Sequence, residues 1–236
     1  MNTLNYLYQH GTLGGLMASL MDGTVAISDM LQQGDLGIGT LSGSNGELVI
    51  LDGVAYHVNE EGNVHILTGQ ELATYSAVTK FVQQQTFPIE RLKDSQEVKQ
   101  EILDKLSPNL FAAVKITGTF QHMHVRVVQK QEKPYPKFVE VARHQPEFET
   151  NDVKGTIVGF FTPSLFHGAS VAGFHLHFIS DDRTFGGHVL DFKLSEGKVA
   201  LEELEEFRQH FPINDEDFLE QEIDFDSISK DIEEAE

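Results

Sequence analysis

Cysteine and tryptophan are absent from the 236 residues. Without cysteine there can be no disulfide, no thiolate nucleophile and no Cys-based metal site. Basic residues are scarce: 17 Lys and Arg stand against 37 Asp and Glu, a formal net charge of -20. Such a chain is repelled by phosphate backbones and anionic membranes, so no nucleic acid and no membrane is expected as a partner. Part of the charge is local, crowded between Glu196 and Glu236. No window approaches the run of about 18 apolar residues that a membrane-spanning helix needs. The opening segment, MNTLNYLYQHGTLGG, has no basic region and no sustained apolar region. It does not read as a signal peptide, and the expectation is a cytoplasmic protein.

What is present is an ordinary globular complement: 40% hydrophobic residues, including 17 Phe. The length suits one large domain or two small ones with a sizeable core. Leu13, Leu16, Met17, Leu20 and Met21 share one helical face, which predicts a helix from about residue 12. Short alternating segments follow (LGIGTLSG, GELVILDG, VAYHVN, NVHIL), punctuated by the turns SGSNG and NEEGN. They predict antiparallel strands joined by tight turns. Residues 95–106 (SQEVKQEILDKL) open with Ser and carry helical spacing, so a second helix is expected. Long strand patterns then run from Leu110 and again through GTIVGFFTP, VAGFHLHFIS and GGHVLDFKL, before a partly helical acidic tail. The fold class is therefore α+β (mixed α/β), dominated by antiparallel or mixed sheet in two sub-domains. The Pro-punctuated QKQEKPYPK suggests a division into residues 1–130 and 131–236.

The chemistry sits in GFHLHFIS. Strand side chains alternate between faces, so His175 and His177 point one way and Phe174, Leu176 and Phe178 the other. If SDDRTF turns the chain symmetrically about residues 182 and 183, His188 of GGHVLDF lies opposite His177. Opposed residues on antiparallel strands have Cβ atoms about 4.5–5.5 Å apart, so three imidazoles would converge. Clustered histidines are costly unless something uses them, and a divalent cation does. Three His with an open fourth position is the pattern of catalytic zinc. A second set, His122, His124 and Arg126 in QHMHVRV, shares a face but lacks a third His. It is expected to line the same cavity, with Arg126 supplying positive charge. Arg183, in the connecting loop, is expected to pair with Asp181, Asp182 or tail carboxylates. By position alone, Glu47 is a water-exposed hairpin residue, Thr40 an ordinary strand threonine and Glu236 part of a disordered acidic tail.

Three stretches together resemble the α-acetolactate decarboxylase family: GTLSGSNGELVILDGVAYHV, GTFQHMHVRVVQKQEKPYP and GTIVGFFTPSLFHGASVAGFHLHFISDDRTFGGHVLDF. The resemblance covers nearly the whole chain. It implies conversion of (S)-2-acetolactate to (R)-acetoin and carbon dioxide, with Zn2+ on His175, His177 and His188. It further implies Arg126 as the active-site arginine, Glu47 as a glutamate of the site, Thr40 beside it, and a second glutamate from the extreme C-terminus. The Ile-x-x-Ala-Glu pattern puts that residue at Glu236, with Glu233 and Glu234 close by. A homodimer is also implied. Two alternatives compete: a cupin-like metal-dependent oxygenase, which also uses HxH and a later His, and a non-enzymatic metal- or ligand-binding module. Cupins place a Glu shortly after HxH, where this chain has FISDDRTF.

Overall fold

The computed structural model describes residues 5–224 together with 228 and 232. The N-terminal part runs β1 (Tyr6–His10), α1 (Leu13–Met17), β2 (Val25–Ala26), α2 (Ile27–Gln33) and β3 (Leu36–Leu41). β4 (Asn45–Leu51), β5 (Val54–Val58), β6 (Val64–Ile66) and β7 (Leu72–Thr79) follow. Then come β8 (Gln85–Ile89), β9 (Lys93–Asp94), α3 (Ser95–Leu103) and the long β10 (Phe111–Arg126). The remainder is α4 (Phe138–Ala142), β11 (Glu147–Thr162), β12 (Gly173–Ser180), β13 (Gly186–Leu204), β14 (Glu206–His210) and α5 (Glu216–Glu220).

The strands form two sheets, and the α+β class read from sequence holds. One sheet has the order β14-β1-β7-β3-β4-β5-β6, with β2 beside β7. In the other, β10-β11-β12-β13 is closed into a ring by a β10–β13 pairing, and β8 and β9 flank β13. Both sheets draw strands from each side of residue 130. Most pairings are antiparallel, as expected; β1 with β14 is parallel. No helix among the described residues is long and apolar enough to cross a membrane.

Alternation sorts the core. Leu176 and Phe178 of β12 enter a cluster inside the ring with Phe120, Met123, Val125 and Phe192. Ile179, on the other face of β12, packs between the sheets with Ile38, Val49, Leu51, Val158 and Phe160. His175 and His177 share the face of Ile179, so they lie where the two sheets meet.

The helices differ in detail from expectation. α1 stops at Met17, four residues short of the predicted apolar stripe. Gly14 and Gly15 weaken it, and Ser19 turns left-handed at φ +68°. Leu13, Leu16, Met17 and Met21 are nonetheless buried, packed with Phe138, Val141, Ile228 and Ile232. α3 forms where predicted, but its cap is Asp94, one residue earlier than Ser95. Asp94 accepts from the Glu97 N–H, and Glu97 reaches back to complete a capping box.

Candidate metal centre

The hairpin register is the one that spacing suggested: His177 faces His188 across β12 and β13. The third ligand, His175, lies two residues back on the same face. One ring nitrogen from each of the three histidines falls within 4.8 Å of the others. All three rings are buried, His177 to 1% exposure. His177 donates its Nδ1–H to the Leu48 carbonyl of β4 at 2.9 Å. That bond fixes the tautomer and leaves the Nε2 lone pair facing inward. Among the described residues, His177 Nε2 and His175 Nδ1 are buried without a hydrogen-bond partner. The Tyr75 ring stacks beside His175, centroids 6.3 Å apart and 11° from parallel.

Burial is the main cause that holds these imidazoles neutral. It lowers His177 to about 4, opposed by the Leu48 hydrogen bond and helped by Arg126. Burial likewise pushes His175 well below the ordinary range, with further contributions from His177 and Arg126. His188 is lowered in the same way, next by Arg126 and then by its fellow histidines. Three neutral, buried imidazoles converging in this way could hold a divalent cation.

The surrounding residues come from both sheets. Arg126 sits at the end of β10, paired in register with His188, its Nη2 3.4 Å from His188 Nε2. Glu47 is 6% exposed rather than open to water. Its Oε1 accepts from the Val128 N–H at 2.9 Å, and its Oε2 lies 3.3 Å from His177 Nε2. Gly46 makes this possible: at φ +65°, a Cβ there would lie 2.2 Å from the Val58 carbonyl oxygen. Thr40 donates to the Gly46 carbonyl at 2.8 Å, bracing the turn that carries Glu47. A cavity of about 40 Å³ joins the three histidines to Thr40, Glu47, Tyr75, Arg126 and Gln145, walled by Leu13, Leu16 and Phe138. A larger concavity, about 890 Å³ across β8, β10 and β13, is lined by none of these residues.

Three expectations fare differently. His122 and His124 do share a face with Arg126, but they do not reach the cavity. Each step of two residues along a strand moves about 6.6 Å, so His124 and then His122 lie progressively further along β10 from Arg126. Further out, His122 binds Glu149 at 3.2 Å and His124 binds Glu147 at 2.8 Å. Arg183 pairs with no carboxylate among the described residues; it donates to the Ser180 carbonyl at 2.6 Å and lies over the Tyr56 ring. Its left-handed backbone, φ +60°, aims the side chain back across the turn. Glu236, with Glu233 and Glu234, lies outside the described residues. Tyr75 and Gln145 were not singled out from sequence. Tyr75 sits in an ordinary alternating strand, and Gln145 carries no local motif.

The sequence profile described as alpha-acetolactate decarboxylase matches residues 7–225. The chain belongs to this family. An alpha-acetolactate decarboxylase of Lactococcus lactis subsp. cremoris is 44% identical over 237 residues, covering all of both chains. The crystal structure of alpha-acetolactate decarboxylase from Bacillus subtilis strain 168 superposes with a TM-score of 0.95 at 35% identity, covering 98% of this chain and 99% of that one. A Staphylococcus aureus protein, described as of unknown function and similar to alpha-acetolactate decarboxylase, gives 0.96 at 50% identity, covering 98% of this chain and 100% of that one. Relationship to alpha-acetolactate decarboxylases thus spans both sheets and every cavity-lining residue named above.

Proposed function

We propose that the chain is a carboxy-lyase that converts (S)-2-acetolactate to (R)-acetoin and carbon dioxide, with zinc held by His175, His177 and His188. The observation that carries this reading is the meeting of three neutral, buried imidazoles with Arg126 and Glu47 around one cavity, in a chain of this family. Acetolactate carries a carboxylate, a hydroxyl and a methyl on the carbon next to a ketone. The bond to the carboxylate carbon breaks, carbon dioxide leaves, and the electron pair moves into the ketone to give an enediolate. A bound zinc ion would supply Lewis acidity to the ketone and hydroxyl oxygens, so no organic electron sink is required. Arg126 is permanently charged and holds the substrate carboxylate; once that group has left, it offsets the enediolate charge. Glu47, fixed by the Val128 N–H, delivers a proton to the carbon that lost the carboxylate. Its attachment on one side of the cavity restricts delivery to one face. Thr40 keeps the Glu47 turn in place, and Glu236 is proposed to share the proton-transfer work.

The family match lends no support to the cupin-like oxygenase or to a non-catalytic binding module. The test is to assay racemic acetolactate for acetoin and carbon dioxide before chelation, after chelation, and after zinc is restored. Turnover that disappears and returns with zinc is expected; turnover indifferent to chelator, or none at all, sinks the reading. The same proposal includes a homodimer, checked by sedimentation equilibrium, and a cytoplasmic location, checked by cell fractionation.

A further inference from the structure

Gln145 lines the histidine cavity. It sits just before β11, where β10 and β11 continue their ladder past the Arg126–Glu147 pair: the Val127 N–H donates to the Pro146 carbonyl at 3.1 Å. Gln145 shares the cavity lining with Val128, whose N–H holds Glu47. Its side-chain Oε1 is buried and has no hydrogen-bond partner among the described residues. A buried amide oxygen left unpaired is unfavourable, and native proteins rarely keep one without a use.

The chemistry of the atom narrows that use. An amide oxygen accepts only, so its partner must be a donor. At neutral pH the carboxylate and ketone oxygens of a 2-hydroxy-3-keto acid also only accept. Arg126 and a cation at the histidines answer those atoms. The hydroxyl holds the substrate's single O–H donor. We propose that Gln145 is a substrate-positioning residue whose Oε1 accepts a hydrogen bond from that hydroxyl, selecting 2-hydroxy-3-keto acids over 3-keto acids that lack it. The inference rests on the proposed function. A site built to hydrogen-bond a hydroxyl rejects the analogue without one, because its own polar group is then left unpaired.

The test compares Gln145→Met, of similar length but without the acceptor, with the zinc-loaded wild type. Two readouts are used: kcat/KM on acetolactate against 2-methyl-3-oxobutanoate, and calorimetric affinity for acetoin against butanone. Wild type is expected to prefer the hydroxylated member of each pair, and Gln145→Met to lose about tenfold or more of each preference at unchanged zinc content. Undiminished preferences in a zinc-replete Gln145→Met overturn the inference while leaving the decarboxylase reading intact. If Gln145→Met does not fold, Gln145→Asn, whose oxygen is withdrawn by one methylene, takes its place. It is expected to show the same loss of preference, and an unchanged acetoin–butanone gap overturns the proposal. Wild type that fails to decarboxylate acetolactate overturns both readings together.

Discussion

His177 shows how much one residue can be asked to do. Its Nδ1–H is committed to the Leu48 carbonyl, so its ring cannot rotate without breaking a buried hydrogen bond. The Nε2 is therefore presented at one fixed point. His177→Ala is expected to leave a protein that folds but retains little zinc, read by atomic spectroscopy after dialysis; full zinc occupancy would remove His177 from the ligand set. Glu47 makes a contrasting prediction. Glu47→Gln keeps an oxygen to accept the Val128 N–H but has no acidic proton to give. Zinc content should stay at the wild-type level while kcat falls about 10²- to 10⁴-fold, the usual worth of positioned acid–base catalysis. Unchanged kcat would take Glu47 out of the proton-donor role.

At the scale of elements, the site is assembled by pairing. β12 and β13 bring the three histidines together, and β10 adds Arg126 through its register with β13. β4, from the other sheet, contributes Glu47 and the Leu48 carbonyl. α3 contributes no residue to the cavity lining, and its capping box is a local device. Asp94→Ala should lower unfolding stability by about 1 kcal/mol, measured by urea denaturation, with no change in zinc content or kcat. A matching loss of activity would show α3 to be coupled to the site. His10, at the end of β1, is buried and shares a hydrogen bond of 2.7 Å with His210 of β14. Burial, then the His210 charge, lowers its pKa to about 4. The unfolded chain, near 6.5, binds its proton first, so stability rises with pH between about 4 and 6.5 and is lost as pH falls through that window. His10→Gln should flatten the slope of stability against pH there, measured by urea denaturation of the zinc-free protein; an unchanged slope would clear His10.

Across the whole molecule, metal binding at the triad and folding are expected to be linked. A cation that binds the native histidines and not the unfolded chain stabilises the fold by mass action. Chelation should therefore lower the melting temperature, and added zinc should restore it in a concentration-dependent way; a melting curve indifferent to zinc would mean that the triad binds none. Sequence alone was enough for the α+β class, the triad and its hairpin register, because strand alternation and turn symmetry are local rules with a period of two. Strand alternation also put Arg126 at the cavity, and motif resemblance gave its role and added Glu47 and Thr40. What only the tertiary structure decided is how the sheets meet. That contact buries Glu47, aims His177 through Leu48, brings Tyr75 and Gln145 to the cavity, and leaves His122 and His124 outside. These residues lie far apart in sequence, and no local period records which strand of one sheet will cover which end of a strand in the other.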